Sequence, residues 1–192
     1  MEASRAFDGW ADTYEQSPLQ TLLFGQAHAS VIRSLQALPA AATLIDVGCG
    51  TGRLLRSVAE LWPDCRLIGV DPSPRMIAAA RALSPGIEFE VGSAEDLPMG
   101  NTFADVVTST VALHHWRDRV RGVKEASRVL RPGGLLVLVD LAGPMWLSRL
   151  LKDPPYSRAS DRDRLLRDCG FMHIRHDPIR HPYLLRTRAE KP

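Results

Sequence analysis

Apolar positions recur along this chain with two different periods, and the switches between them mark the elements. Leu19, Leu22, Leu23, Val31, Leu35 and Leu38 fall at near-helical spacing and predict a helix over 18–38. Thr43-Leu44-Ile45-Asp46-Val47 is a short apolar run ahead of glycines and predicts a buried strand. Leu54, Leu55, Val58, Ala59, Leu61 and Trp62 predict an amphipathic helix over 53–62, which Pro63 ends. A strand from Arg66 to Val70 closes on Asp71, a helix follows at 74–83, and further strands are predicted at Ile87–Val91 and Phe103–Thr110. Val120, Val123, Ser127 and Leu130 share one face of a helix over 118–130, and Arg131-Pro132-Gly133-Gly134 reads as a tight turn. Leu135–Leu141 is continuously apolar, as in a strand covered on both faces. Ser160 or Asp161 is the expected cap of a helix over 161–169 that stops at Gly170. Strands near 171–177 and 182–188 then follow with no helix between them.

Strands alternating with helices imply right-handed crossovers and a parallel sheet. The last two strands are joined too closely for a crossover, so they pair antiparallel. The expected fold is therefore α/β, a doubly wound, mostly parallel, seven-stranded sheet ending in an antiparallel hairpin. The 192 residues suit a single domain, 45% apolar and 24% charged.

Met1-Glu2-Ala3-Ser4-Arg5 opens no apolar stretch of a secretory signal, and no run approaches the about 20 apolar residues of a membrane helix. Cys49, Cys65 and Cys169 are far apart and form no CxxC pair, so neither a disulfide framework nor a zinc site is expected, and the cytoplasm is the expected compartment. Residues 1–148 hold 13 Lys and Arg against 16 Asp and Glu, whereas 149–192 hold 11 against 6. The basic residues of the tail are scattered and mostly Arg, which reads as solvated faces rather than a nucleic-acid surface.

The candidate chemistry begins in the loop Asp46-Val47-Gly48-Cys49-Gly50-Thr51-Gly52. Glycines there allow a sharp turn and close approach of a ligand to the backbone, beyond the carboxyl ends of the strands. The nicotinamide fingerprint G-x-G-x-x-G fails because Arg53 occupies the third glycine position, and no GK[ST] supports a nucleotide P-loop. A glycine triplet by itself also suits a plain strand-to-helix turn. Asp71 lies 25 residues beyond Asp46 at the end of the second strand. Alone it reads equally as a ribose acceptor or as the cap of the helix starting near Pro74; beside the glycine loop the ribose reading prevails.

Five blocks in order carry a resemblance: Phe7-Asp8-Gly9-Trp10-Ala11-Asp12-Thr13-Tyr14; Asp46 to Gly52; Gly69-Val70-Asp71; Gly92-Ser93-Ala94-Glu95-Asp96-Leu97-Pro98; and Phe103 to Trp116 followed by Glu125 to Gly134. Together they resemble the Rossmann-like class I S-adenosylmethionine-dependent methyltransferases, in particular the small-molecule and quinone-biosynthesis C-methyltransferase group. The resemblance implies S-adenosyl-L-methionine as cofactor and S-adenosyl-L-homocysteine as product. It implies a single domain with an N-terminal lid and first helix (1–38), a cofactor-binding core (43–141), a short cap (142–160) and a last helix with the terminal hairpin (161–192). Gly48 and Gly50 then pass under the methionine part, Asp71 holds the ribose and Met76 packs against the adenine, with Asp46, Cys49 and Pro72 also counted among the cofactor-binding residues. Ser93, Ala94 and Glu95 border the adenine edge, and Thr110 lies near the methionine amino group. Met76 also reads as an ordinary core methionine. Many relatives carry Asp where Ser93 stands; Ser93 still accepts a hydrogen bond, or Glu95 or Asp96 substitutes.

Methyl transfer needs mainly position and field, plus a base where the acceptor must lose a proton. His114 and His115, after the fourth strand, are the candidate bases, with pocket wall or packing as the alternative. Neighbouring histidines point apart, so no metal site is expected. Trp10 and Tyr14 are expected in the lid or as plain hydrophobic anchors, and Trp146 in the cap against substrate. His173, His176 and His181 receive no role. Asp153-Pro154-Pro155-Tyr156 spells a tetrapeptide of amino-methylating enzymes but follows the fifth strand, not the fourth, and reads as a proline-rich loop.

The expected activity is methyl transfer to O, N or C of a small-molecule acceptor, without nucleic acid or a membrane span and with oligomerisation left open. The rivals are a cofactor-binding protein that catalyses a non-methylating reaction or serves as a partner subunit, and an RNA methyltransferase.

Overall fold

The computed structural model describes residues 18–36, 38–142 and 158–192. Trp10, Tyr14, Trp146, the opening segment 7–14 and the tetrapeptide at 153–156 lie outside the described residues.

Seven strands form one sheet: β1 (Thr43–Val47), β2 (Arg66–Asp71), β3 (Glu88–Val91), β4 (Ala104–Thr110), β5 (Leu130–Leu141), β6 (Met172–Pro178) and β7 (Leu184–Glu190). Their order is β3-β2-β1-β4-β5-β7-β6. The first five are parallel, and β7 runs antiparallel between β5 and β6. The helices are α1 (Pro18–Ser34), α2 (Arg53–Leu61), α3 (Pro74–Leu83), α4 (Arg119–Val129) and α5 (Ala159–Asp168), with a 3₁₀ turn η1 at Leu113–His115. No helix of the described residues is long and apolar enough to cross a membrane.

Successive strand side chains point to opposite faces, and the apolar runs fill both. On one face Leu44, Val106, Val137 and Val139 pack with Ala27 and Val31 of α1, Leu54 and Val58 of α2, and Ile77 of α3. On the other, Ile45, Val107, Leu136 and Leu138 pack with Val123 and Ala126 of α4 and Leu165 and Leu166 of α5. The sheet is therefore covered on both sides, and the expected fold is the observed one.

Three local expectations are corrected. Arg131–Gly134 does not end an element: it is a bulge within β5, opposite Asp105, since Ala104 pairs with Leu130 and Val106 with Leu135. Gly133 takes φ 75° there, and hydrogen bonds from Gly133 N to Lys191 O and from Lys191 N to Gly134 O continue the pairing through it. Neither Ser160 nor Asp161 caps α5; its N-cap is Arg158, without a side-chain cap bond, and both residues lie in the first turn. The first helix also stops at Ser34, short of the predicted 38.

Candidate functional site

The carboxyl ends of β1, β2 and β4 lie side by side where the strand order reverses, the usual position of a ligand in such sheets. The chain leaves β1 through glycines 48, 50 and 52, with φ of 79°, 54° and 78°. These left-handed values strain any residue with a Cβ. Gly48 N and Cys49 N both donate to Val70 O, at 2.8 and 3.1 Å, which lays the loop on the end of β2. A Cβ on Gly48 would stand 2.5 Å from the Cβ of Ala112, and one on Gly52 2.6 Å from Cζ of Phe89. The first glycine thus brings the loop against the chain beyond β4, and the last seats α2 against β3. Cys49 is buried, and burial, then the charges of Asp46 and Asp71, push its thiol well above its ordinary range. It is an inert packing thiol rather than a nucleophile.

Asp71 ends β2. Gly50 N donates to its Oδ2 and Ser73 N to its Oδ1, each at 2.9 Å. The helix-cap reading of Asp71 is corrected: Ser73 is the N-cap of α3, its Oγ accepting from Met76 N at 3.2 Å. Asp71 instead ties the glycine loop to the turn before α3, and each carboxylate oxygen can accept more than one hydrogen bond. Pro72 next to it is exposed. Met76 is buried in the first turn of α3.

Asp46 lies beneath the loop, 2% exposed, and accepts from Thr108 Oγ1 at 2.7 Å. Burial pushes its carboxyl up to about 7; the Thr108 bond opposes this and the Asp71 charge adds to it. Beyond β3, Ser93 forms an isolated bridge with Asp96, and Ala94 is buried. Glu95 is turned toward the chain before α4, its Oε1 accepting from Arg117 N at 2.7 Å and Asp118 N at 3.1 Å. Thr110, the last residue of β4, is 6% exposed, and its Oγ1 has no hydrogen-bond partner among the described residues.

η1 follows directly. Nδ1 of His114 lies 2.8 Å from Oδ1 of Asp140, and His114 N donates to Oδ2 at 3.3 Å. Asp140 is 2% exposed near the end of β5. Burial pushes its carboxyl up, but the His114 hydrogen bond, the charges of His114 and Arg162 and the Leu141 N–H outweigh it and hold the group below its ordinary value. An ionised carboxylate only accepts, so the pairing places a proton on Nδ1 and leaves Nε2 as the acceptor nitrogen. The His115 ring centroid lies 3.8 Å from that of His114. Partial burial, then the His114 charge, lowers His115 to about 4, so it is neutral and weakly basic near pH 7. Trp116 packs on Gly122, where a Cβ would come within 2.5 Å of the indole. Of the two candidate bases, His114 therefore has the orienting partner.

Asp140 and Arg162 were not singled out from sequence, although both carried a signal. Asp140 is the only charge in the apolar run Leu135–Leu141. Arg162 sits at the inward spacing of Leu165 and Leu166 on α5 and is 1% exposed, which corrects its reading as a solvated arginine. The structure does not bring His173, His176 or His181 to η1; they lie on β6 and in the connection after it, and His176 Nδ1 is 3.0 Å from Thr187 Oγ1. No group of His, Cys, Asp and Glu among the described residues could hold a metal ion.

Residues 45–138 match the family described as a methyltransferase domain. A 97-residue stretch is 38% identical to the demethylmenaquinone methyltransferase of Chlorobaculum parvum, covering 50% of this chain and 40% of that protein. Another of 101 residues is 43% identical to the malonyl-[acyl-carrier protein] O-methyltransferase of Hahella chejuensis, covering 51% of this chain and 36% of that protein. The matched stretches thus span less than half the length of these relatives. Among solved structures, a chain of the complex between the Haloferax volcanii Trm112 methyltransferase activator and a methyltransferase superposes with a TM-score of 0.83 at 23% identity, covering 97% of each chain.

Proposed function

We propose that this chain, whose residues 45–138 match the methyltransferase domain family, transfers a methyl group from S-adenosyl-L-methionine to an O, N or C atom of a small-molecule acceptor. The observation that carries the reading is the cradle at the strand ends: a glycine loop with no room for a Cβ at Gly48, pinned through Gly50 to Asp71, beside the buried hydroxyl of Thr110, which has no hydrogen-bond partner among the described residues. A buried hydroxyl without a partner is costly unless a ligand completes it. The residues fit the cofactor: Asp71 would hold the ribose hydroxyls, Gly48 and Gly50 would admit the methionine part, and Thr110 would meet its polar end. When bound, the cofactor supplies a methyl group on a sulfonium, open to in-line displacement.

The protein contributes position and proton handling. Asp71 is pre-oriented by its two backbone N–H bonds, so little ordering is required on binding. His114 follows Ala112, the residue that closes over Gly48, by two positions, which puts a base in the chain that walls the loop. Its Nε2 accepts the proton that an O–H, N–H or acidic C–H acceptor releases, while Asp140 holds the tautomer and stabilises the imidazolium. The three cysteines are free, in keeping with a reducing cytoplasm.

Calorimetric titration with S-adenosyl-L-methionine tests the reading. Saturable binding in the micromolar range, about −8 kcal/mol, is expected, with loss in Asp71→Ala and partial retention in Asp71→Asn. Absence of binding at millimolar cofactor refutes it.

A further inference from the structure

The buried charges behind His114 extend beyond Asp140. Arg162 is among the largest fully buried side chains of the described residues. Its guanidinium donates from Nη1 to Leu185 O at 3.0 Å and from Nη2 to Leu141 O. Leu141 follows Asp140, and Leu185 is the residue paired with Asp140 across the β5–β7 ladder. Both carbonyls that Arg162 grips therefore flank the Asp140 backbone. A guanidinium this buried stays charged and demands a nearby anion.

The groups around the pair come from several elements. His114 and His115 are on η1, and Arg119 of α4 donates to the carbonyls of Leu113 and His114. Arg162 comes from α5. Arg186 of β7 is committed to Asp177 and to Ser30 O. His176 of β6 faces Asp163 of α5, and Asp177 is held by Arg186, whereas Asp140 lies between the two carbonyls that Arg162 holds.

A buried carboxylate facing only a histidine draws a proton onto the imidazole, and an imidazolium cannot act as a base. We propose that Arg162 is a positioning residue for the His114–Asp140 pair: its fixed charge balances Asp140, which holds Nδ1 of His114, while its two carbonyl bonds hold the end of β5 against β7. The proposal rests on the methyl-transfer reading for its purpose. In the step it serves, an acceptor X–H bond breaks, its proton forms a bond to His114 Nε2, and the electron pair remains on X for the incoming methyl; the imidazolium later releases the proton to water. The sign is fixed by charge: removing a buried cation favours protonation of the pair and raises its midpoint.

The test needs no acceptor. The His114 imidazole is followed by proton–carbon NMR across pH, its signal assigned by loss in His114→Asn and its tautomer read from the ring nitrogen shifts. Arg162→Met is expected to raise the His114 midpoint by about one pH unit, while Arg162→Lys, which keeps the charge, restores the wild-type midpoint. Arg162→Gln, which keeps a donor to the strand carbonyls without charge, carries the same expectation as Met and serves if the Met variant does not fold. A midpoint unmoved in either folded uncharged variant overturns the proposal, as does a Lys variant that behaves like Met. The wild-type cofactor titration separates the two claims: without saturable binding the methyl-transfer reading fails, whatever His114 does. An unmoved midpoint in a protein that binds the cofactor sinks the Arg162 role alone.

Discussion

Gly48→Ala isolates the contact that shapes the loop. Two penalties are added at one position. The left-handed φ of 79° costs an alanine about 1–2 kcal/mol. The new Cβ would also stand 2.5 Å from the Cβ of Ala112, where carbons settle at roughly 3.5–4.0 Å. Relief requires the backbone around Ala112 to shift, an overpacking cost of about 1–3 kcal/mol. The expected loss of stability is therefore about 2–5 kcal/mol. Ala112→Gly removes the opposing methyl, so in that background Gly48→Ala should cost only the φ term. The coupling in this double-mutant cycle is then about 1–3 kcal/mol. Urea unfolding followed by circular dichroism measures all four proteins, and cofactor titration follows alongside, expected to weaken in the single variant and to recover partly in the double one. An equal cost of Gly48→Ala with and without Ala112→Gly would refute the steric account of the loop.

Two further outcomes follow from buried polar groups. Asp46, pushed up to about 7, binds a proton more tightly folded than unfolded, so its contribution to stability declines as pH rises from about 4 to about 7 and is least favourable above that. Asp46→Asn should therefore stabilise the protein more at pH 8 than at pH 5, by roughly 2–3 kcal/mol in the difference; equal gains at the two pH values in thermal melts would contradict it. Thr110→Val removes a hydroxyl with no partner among the described residues, so stability should hold or rise while cofactor affinity falls about 3–10-fold, one neutral hydrogen bond. Unchanged affinity by calorimetry would remove Thr110 from the cradle.

The sheet was legible because its signal is local. Runs such as Leu44–Val47 and Leu135–Leu141 have no polar alternation, and a strand can bury both faces only with helices on each side. The glycine loop and Asp71 were legible for a related reason: close backbone approach requires glycine, and the spacing of the two follows from one crossover. Local signals failed where partners distant in sequence decide. Arg131–Gly134 carries turn residues, yet pairing with Lys191 draws it into β5. Asp71 taken alone suited a helix cap as well as a ribose acceptor; the structure gives the N-cap to Ser73 and the Gly50 amide to Asp71.

The histidines show the division most clearly. Sequence alone placed His114 and His115 after the fourth strand and left them equivalent. Tertiary structure separated them, because only folding brings Asp140, 26 residues along the chain, to Nδ1 of His114, while partial burial lowers His115 to about 4. Arg162 is the same case at longer range: its charge looks like one more arginine of a basic tail, and burial of α5 against the sheet turns it into a fixed counter-charge. Periodicity determines which residues face the core. Which charges meet there depends on the register of β5 with β7 and on the packing of α5, and neither is encoded in any single stretch of the chain.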